Sequence, residues 1–68
     1  MDRFSKRLKE LRTYKGLIYK KLAESTGLGS STLCMYENKQ RVPNMFSLIA
    51  LANFFQISID YLVGRTDF

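Results

Sequence analysis

Tyr19-Lys-Lys-Leu-Ala-Glu-Ser-Thr-Gly27-Leu-Gly-Ser-Ser-Thr-Leu-Cys-Met-Tyr36-Glu-Asn38 is the stretch on which the fold turns. Ala23 is small enough to let a second helix cross closely. Gly27 can adopt the left-handed backbone that ends a helix without a Cβ clash. Leu22, Leu28, Leu33 and Tyr36 put apolar surface where such a pair must rest on the remainder of the domain. The spacing Ala23-x3-Gly27-x5-Leu33 therefore spells two short helices packed across a tight turn.

The setting sharpens that reading. A helix-turn-helix offers its second helix to the major groove of DNA, and this chain is small and basic, with net charge +5 and a pI near 9.7. The position of the charge says more than its sum. Arg3, Lys6, Arg7, Lys9, Arg12, Lys15, Lys20 and Lys21 crowd the first third against only Asp2 and Glu10, and Lys39 and Arg41 follow. From Val42 to Gly64 the one charged residue is Asp60. One half thus suits a polyanion and the other, neutral and apolar, a protein partner.

At 68 residues, the chain is expected to form a single domain, 1–68, near the lower limit for folding on a core alone. Its 46% hydrophobic content supplies that core and argues against a disordered tail. One cysteine cannot make an internal disulfide, which fits a reducing cytoplasm. No apolar run approaches the ~20 residues that span a bilayer, and the amphipathic N-terminus does not read as a secretion signal.

Working outward, the pattern predicts five helices and an all-α fold. Helix 1 covers about Asp2 to Tyr14, with Phe4, Leu8 and Leu11 on one face and Gly16 as its stop. Helix 2 covers about Ile18 to Ser25 and helix 3 about Ser30 to Glu37. Asn38 to Pro43 is a loop. Asn44 caps a helix running to about Phe55, and Ser58 caps a short helix ending at Gly64.

Phe4…Arg7-Leu-Lys-Glu-Leu-Arg12, Lys15-Gly-Leu17, Leu22-Ala-Glu24, Gly27, Ser31-Thr32, Tyr36-Glu37, Arg41-Val-Pro43 and Ile59-Asp-Tyr-Leu62…Gly64-Arg-Thr-Asp67 resemble, in order and without gaps, the Cro and phage-repressor type of helix-turn-helix, the XRE family. The resemblance implies a compact, five-helix, lambda-repressor-like domain that binds double-stranded DNA as a transcriptional regulator, most often a dimeric repressor. It implies base reading by Gly29, Ser30, Ser31, Cys34 and Met35 of helix 3. It implies phosphate contacts from Tyr19, where relatives often carry Gln, and from Asn38, Lys39, Gln40 and Arg41. Arg12 and Glu37 match a pair that bridges helix 1 to the end of helix 3.

The chain departs from that pattern in informative places. Ile18 and Gly29 stand where Ser or Thr usually caps helices 2 and 3. Lys20 and Lys21 then bring positive charge to the unfavourable end of the helix 2 dipole. Uncapped N–H groups beside two lysines suit a phosphate, so this end is expected to gain a DNA phosphate in place of a cap. The reading face is plain: Ser30 and Ser31 can bond almost any base edge, while Cys34 and Met35 suit thymine methyls. The Cys34 thiol is expected to be open to solvent without DNA.

Helix 4 is apolar all round. Met45, Leu48, Leu51, Ala52 and Phe55 form a stripe for the core; Phe46, Ile49, Ala50, Asn53 and Phe54 form another nearly opposite. A domain this small cannot cover both, which implies a partner, most simply a second copy. Phe46, Ile49, Ala50, Phe54, Tyr61 and Val63 are the expected dimer surface, with Phe68 beside them. Catalysis finds no support in a chain without His, paired carboxylates, metal-ligand spacing or a nucleotide-binding glycine motif. No cofactor, small-molecule ligand or membrane partner is expected. The alternative function is a protein-interaction module on the same fold, of antitoxin or antirepressor type, acting through the apolar helix 4/5 face.

Overall fold

The computed structural model describes residues 2–67. It is all-α: α1 (Asp2–Tyr14), α2 (Tyr19–Thr26), α3 (Ser30–Glu37), α4 (Met45–Phe55) and α5 (Ile59–Leu62), with no strand among the described residues. α2 packs on α3 and α4; α1 packs on α3 and α5; α4 packs on α5. The Phe68 expectation lies outside the described residues.

The helices start and stop where backbone chemistry requires. Asn44 accepts the Ser47 N–H at 2.8 Å and Ser58 accepts the Tyr61 N–H at 3.0 Å, each satisfying a donor that its helix leaves free. α2 begins one residue later than the pattern suggested, because Ile18 is extended at φ −87°, ψ 163° and serves as the cap position. α5 ends at Leu62 rather than Gly64. At Gly27, φ is +77° and the N–H closes on the Ala23 carbonyl at 2.9 Å, turning the chain between α2 and α3.

One core collects Phe4 and Leu8, Leu22, Leu33 and Tyr36, Leu48, Leu51, Ala52 and Phe55, and Leu62, so every helix contributes. Leu11 and Leu28 pack against its edge. Met45 does not join it and is 61% exposed. Helical side chains lean toward the N-terminus, so at the first position of α4 Met45 leans past the end of the core. Two serines enter instead. Ser5 Oγ donates to the Tyr36 carbonyl, and the Tyr36 hydroxyl donates to Ser47 Oγ at 2.9 Å. These bonds remove the penalty of burying hydroxyls.

Three of the eight cationic side chains between Asp2 and Lys21 are tied to other segments of the chain. Arg7 Nη1 donates to the Tyr61 carbonyl at 2.7 Å and the Thr66 carbonyl at 3.1 Å, with its guanidinium carbon 4.0 Å from the centre of the Tyr61 ring. Arg3 Nη1 donates to the Gly64 carbonyl at 2.7 Å. Cations near the C-terminal end of a helix are favourable, and these bonds to the end of α5 and the segment after it tie both to α1. Gly64, at φ +84°, lies so close beneath Arg3 that a Cβ there would stand 2.4 Å from the Cβ of Arg3.

Candidate nucleic-acid interface

α3 has one anchored side and one open side. Leu33 is fully buried and Tyr36 almost so, which fixes the helix rotation on the core. That rotation leaves Ser30 and Ser31 exposed, with Gly29 before them, and Cys34 and Met35 half-exposed. None of the five carries a charge, so the surface can approach base edges without first stripping a strongly hydrated group. The Cys34 thiol is less open than expected. Asn38 folds back along the helix, and its amide donates to the Cys34 carbonyl at 3.0 Å and to Cys34 Sγ at 3.2 Å.

The start of α2 flanks this surface. No side chain caps it, Ile18 is exposed, and Lys20 and Lys21 extend into solvent around a shallow groove that also includes Glu24. Lys21 Nζ lies 3.9 Å from Glu24 Oε1, a contact between exposed groups that is worth little. The Tyr19 hydroxyl is turned inward and donates to Glu37 Oε1 at 3.0 Å. What Tyr19 can still offer outward is its backbone N–H in the first turn of α2.

At its C-terminal end, α3 closes through a left-handed residue. Lys39 has φ +63°, its N–H reaches the Tyr36 carbonyl at 3.3 Å, and the Gln40 N–H reaches the Met35 carbonyl at 2.9 Å. This turn leaves Asn38, Lys39, Gln40 and Arg41 exposed in sequence along one loop. Lys39 Nζ stands 3.6 Å from the exposed Asp2 carboxylate, while Arg41 has no side-chain partner among the described residues.

Holding the two helices to α1 is a three-residue clamp. Arg12 Nε donates to Glu37 Oε2 at 2.7 Å and Nη2 to Oε1 at 3.1 Å, while Nη1 ties the Leu17 carbonyl at 2.8 Å. The guanidinium lies 4.3 Å from the centre of the Tyr19 ring. Glu37 keeps only 2% of its side chain in water, so its charge depends on these partners. The hydrogen bond to Glu37 raises the Arg12 pKa above its ordinary value, keeping it charged. Burial, and then the bond to Glu37, raise the Tyr19 pKa.

A raised phenol pKa sets a pH window. The folded state holds the Tyr19 proton more tightly than the unfolded chain, so its contribution is complete below the ordinary value near 10 and is lost as pH rises through the folded value. Tyr19→Phe is expected to cost about 1–2 kcal/mol at pH 8. Urea midpoints of the two proteins should stay apart below about pH 10 and converge as pH rises above it, and a gap that stays constant there would remove the bond from the energetics.

The outer side of α4 is narrower than the sequence suggested. Phe46 is 69% exposed and Ile49 47%, with Ala50 half-exposed. Phe54 instead stacks edge-on against Phe55 at 5.0 Å, Val63 packs on the core edge, and Tyr61 is covered by Arg7. Sequence reasoning missed the Tyr19 clamp, the Asn38 fold-back and the arginine latch on α5. The last joins positions about sixty residues apart and has no local signal.

The helix-turn-helix family model matches residues 8–62. Among curated proteins, the HTH-type transcriptional regulator ImmR of Bacillus subtilis is 39% identical over 62 residues, which is 91% of this chain and 49% of that protein. The uncharacterized HTH-type transcriptional regulator YobD of the same organism is 34% identical over 94% of this chain and 57% of its own length. The chain thus spans about half the length of these curated relatives. Among solved structures, the restriction-modification controller protein C.AhdI from Aeromonas hydrophila superposes with a TM-score of 0.82 at 36% identity, over 90% of this chain and 92% of the other. The two curated relatives are named transcriptional regulators. No helix among the described residues is long and apolar enough to cross a membrane.

Proposed function

The chain belongs to the helix-turn-helix family, of XRE type, and on that premise we propose that it binds specific double-stranded DNA in the cytoplasm as a dimeric transcriptional repressor. Residues 1–68 act as one DNA-binding domain with α3 in the major groove. Gly29, Ser30, Ser31, Cys34 and Met35 meet base edges. The backbone start of α2 with Lys20 and Lys21 holds phosphate on one side, and Asn38, Lys39, Gln40 and Arg41 hold it on the other. The outer side of α4 joins two copies, so that two half-sites are read together. Repression asks only that the bound protein occupy its site.

The observation that carries this reading is the arrangement around α3. Its buried side is locked to the core, its outer side is uncharged, and the uncapped, lysine-bearing start of α2 is tied to its end through Tyr19 and Glu37, next to the exposed loop that carries Lys39 and Arg41. The small residues of the reading face favour modest direct discrimination supplemented by DNA shape.

Salt dependence is the test. If about four to six phosphates are neutralised per copy, binding weakens steeply and linearly on a log–log plot against salt. Arg41→Ala should weaken all sequences alike and flatten the slope by about one unit. Lys39→Ala should flatten it less, because Asp2 already stands beside its ammonium. Fluorescence anisotropy with labelled duplexes over a salt series measures both. The second reading, a protein-interaction module acting through exposed Phe46 and Ile49, predicts no retention of duplex even at low salt.

A further inference from the structure

We propose that α1 extends the phosphate-binding surface: Lys6 and Lys9, together with Lys39, hold the sugar–phosphate backbone of duplex DNA where it passes the end of α3. The inference rests on the DNA-binding reading above and adds to it a helix that lies outside the helix-turn-helix. An open cleft of about 300 Å³ runs between α1 and the end of α3. Asp2, Lys6 and Lys9 border it from α1, and Glu37 and Lys39 border it from the end of α3 and the loop that follows.

Packing between distant segments makes this cleft. Ser5 donates to the Tyr36 carbonyl and Arg12 to the Glu37 carboxylate, so the side of α1 that carries Ser5, Lys9 and Arg12 lies along the end of α3. The left-handed turn at Lys39 then carries its ammonium back to α1, 3.6 Å from the Asp2 carboxylate. Lysines from two separate parts of the chain therefore share one opening.

The balance of charge selects the occupant. Glu37 is already bonded by Arg12 and Tyr19, which leaves Asp2 as the one acid of the cleft that faces its three lysines. Arg3, also at the border, is turned to the Gly64 carbonyl. A cleft lined by one sign of charge concentrates ions of the other sign. Gathering the lysines costs the free protein repulsion, and a row of phosphates relieves it. Lys6 and Lys9 stand at i, i+3 with Cβ atoms ~5–6 Å apart. A DNA strand carries one charge per ~3.4 Å of its axis, so phosphates of a single strand can meet both. Lys39 belongs to the cleft and to the loop that also carries Gln40 and Arg41, and a strand held by that loop continues to α1.

The test is a variant with Lys6→Gln and Lys9→Gln together, and both positions are exposed, so circular dichroism should be unchanged. Phosphate-ethylation interference is measured on a duplex selected by the wild type. The wild type should show a set of interfering phosphates that Arg41→Ala leaves in place and the double variant loses. The salt slope of the double variant should be flatter by about two units. An interference pattern identical to wild type overturns the contact with α1 whatever the slope does, since the lysines then act only through overall charge. Wild type that retains no duplex even at low salt overturns the DNA-binding reading itself, and this inference with it.

Discussion

Glu37→Ala is expected to destabilise the protein by about 3–5 kcal/mol, the cost of stranding a largely buried cation. Glu37 accepts three hydrogen bonds, two from Arg12 and one from Tyr19, and only 2% of its side chain reaches water. Removing it leaves the Arg12 guanidinium, 14% exposed, with a ring face and one carbonyl in place of a countercharge. A domain of this size holds about 3–10 kcal/mol in total, so the variant should be largely unfolded near physiological temperature. Arg12→Ala should cost a similar amount. The double variant should cost less than the sum of the two single effects, since it leaves neither charge alone. Urea denaturation of the four proteins gives the cycle; a Glu37→Ala effect below about 1 kcal/mol would mean that water reaches the pair.

The second large effect separates holding from reading along α3. Leu33→Ala should cost about 2–5 kcal/mol, the range for a fully buried leucine. Ser30→Ala and Ser31→Ala, on the open side of the same helix, should leave the urea midpoint nearly unchanged. Met35→Ala should have a small effect, since that side chain is half-exposed. The same three substitutions should instead alter base preference by about 1–3 kcal/mol for each base-edge interaction they remove. Selection from a random duplex pool reads this directly. Identical binding logos for wild type and all three variants would take α3 out of the groove.

The helices were legible because their signals are local. Phe4, Leu8 and Leu11 recur at helical spacing, Asn44 and Ser58 are side-chain caps, and Gly27 is the residue that a left-handed turn prefers. The site was legible in part. Its surface residues follow from the rotation of α3, which Leu33 and Tyr36 announce. Tyr19 did not follow, because a tyrosine at a helix start reads equally well as an outward polar tip or an inward one. Only the proximity of Glu37, eighteen residues away, selects the second. The electropositive first third was legible as composition and only in part as surface, since Arg3, Arg7 and Arg12 engage carbonyls and a carboxylate while the five lysines stay exposed.

The five helices, their caps and turn, the side of α3 that anchors and the membership of one family therefore follow from the sequence alone, because all are properties of residues near one another in the chain. Packing between distant segments decided how charge is divided between scaffold and surface. A guanidinium has the same composition whether it meets a phosphate or the end of α5, and its choice depends on which acceptors folding brings within reach. Packing likewise decided which apolar residues stay uncovered. Met45 and Phe46 belong to opposite expectations in the helical pattern, yet both stand in solvent: Phe46 lies on the outer side as expected, and the core reaches α4 only from Ser47 and Leu48 onward, one residue too late to cover Met45. Helical periodicity gives a side chain's direction around the axis, and only the packed neighbours give how far the core extends along it.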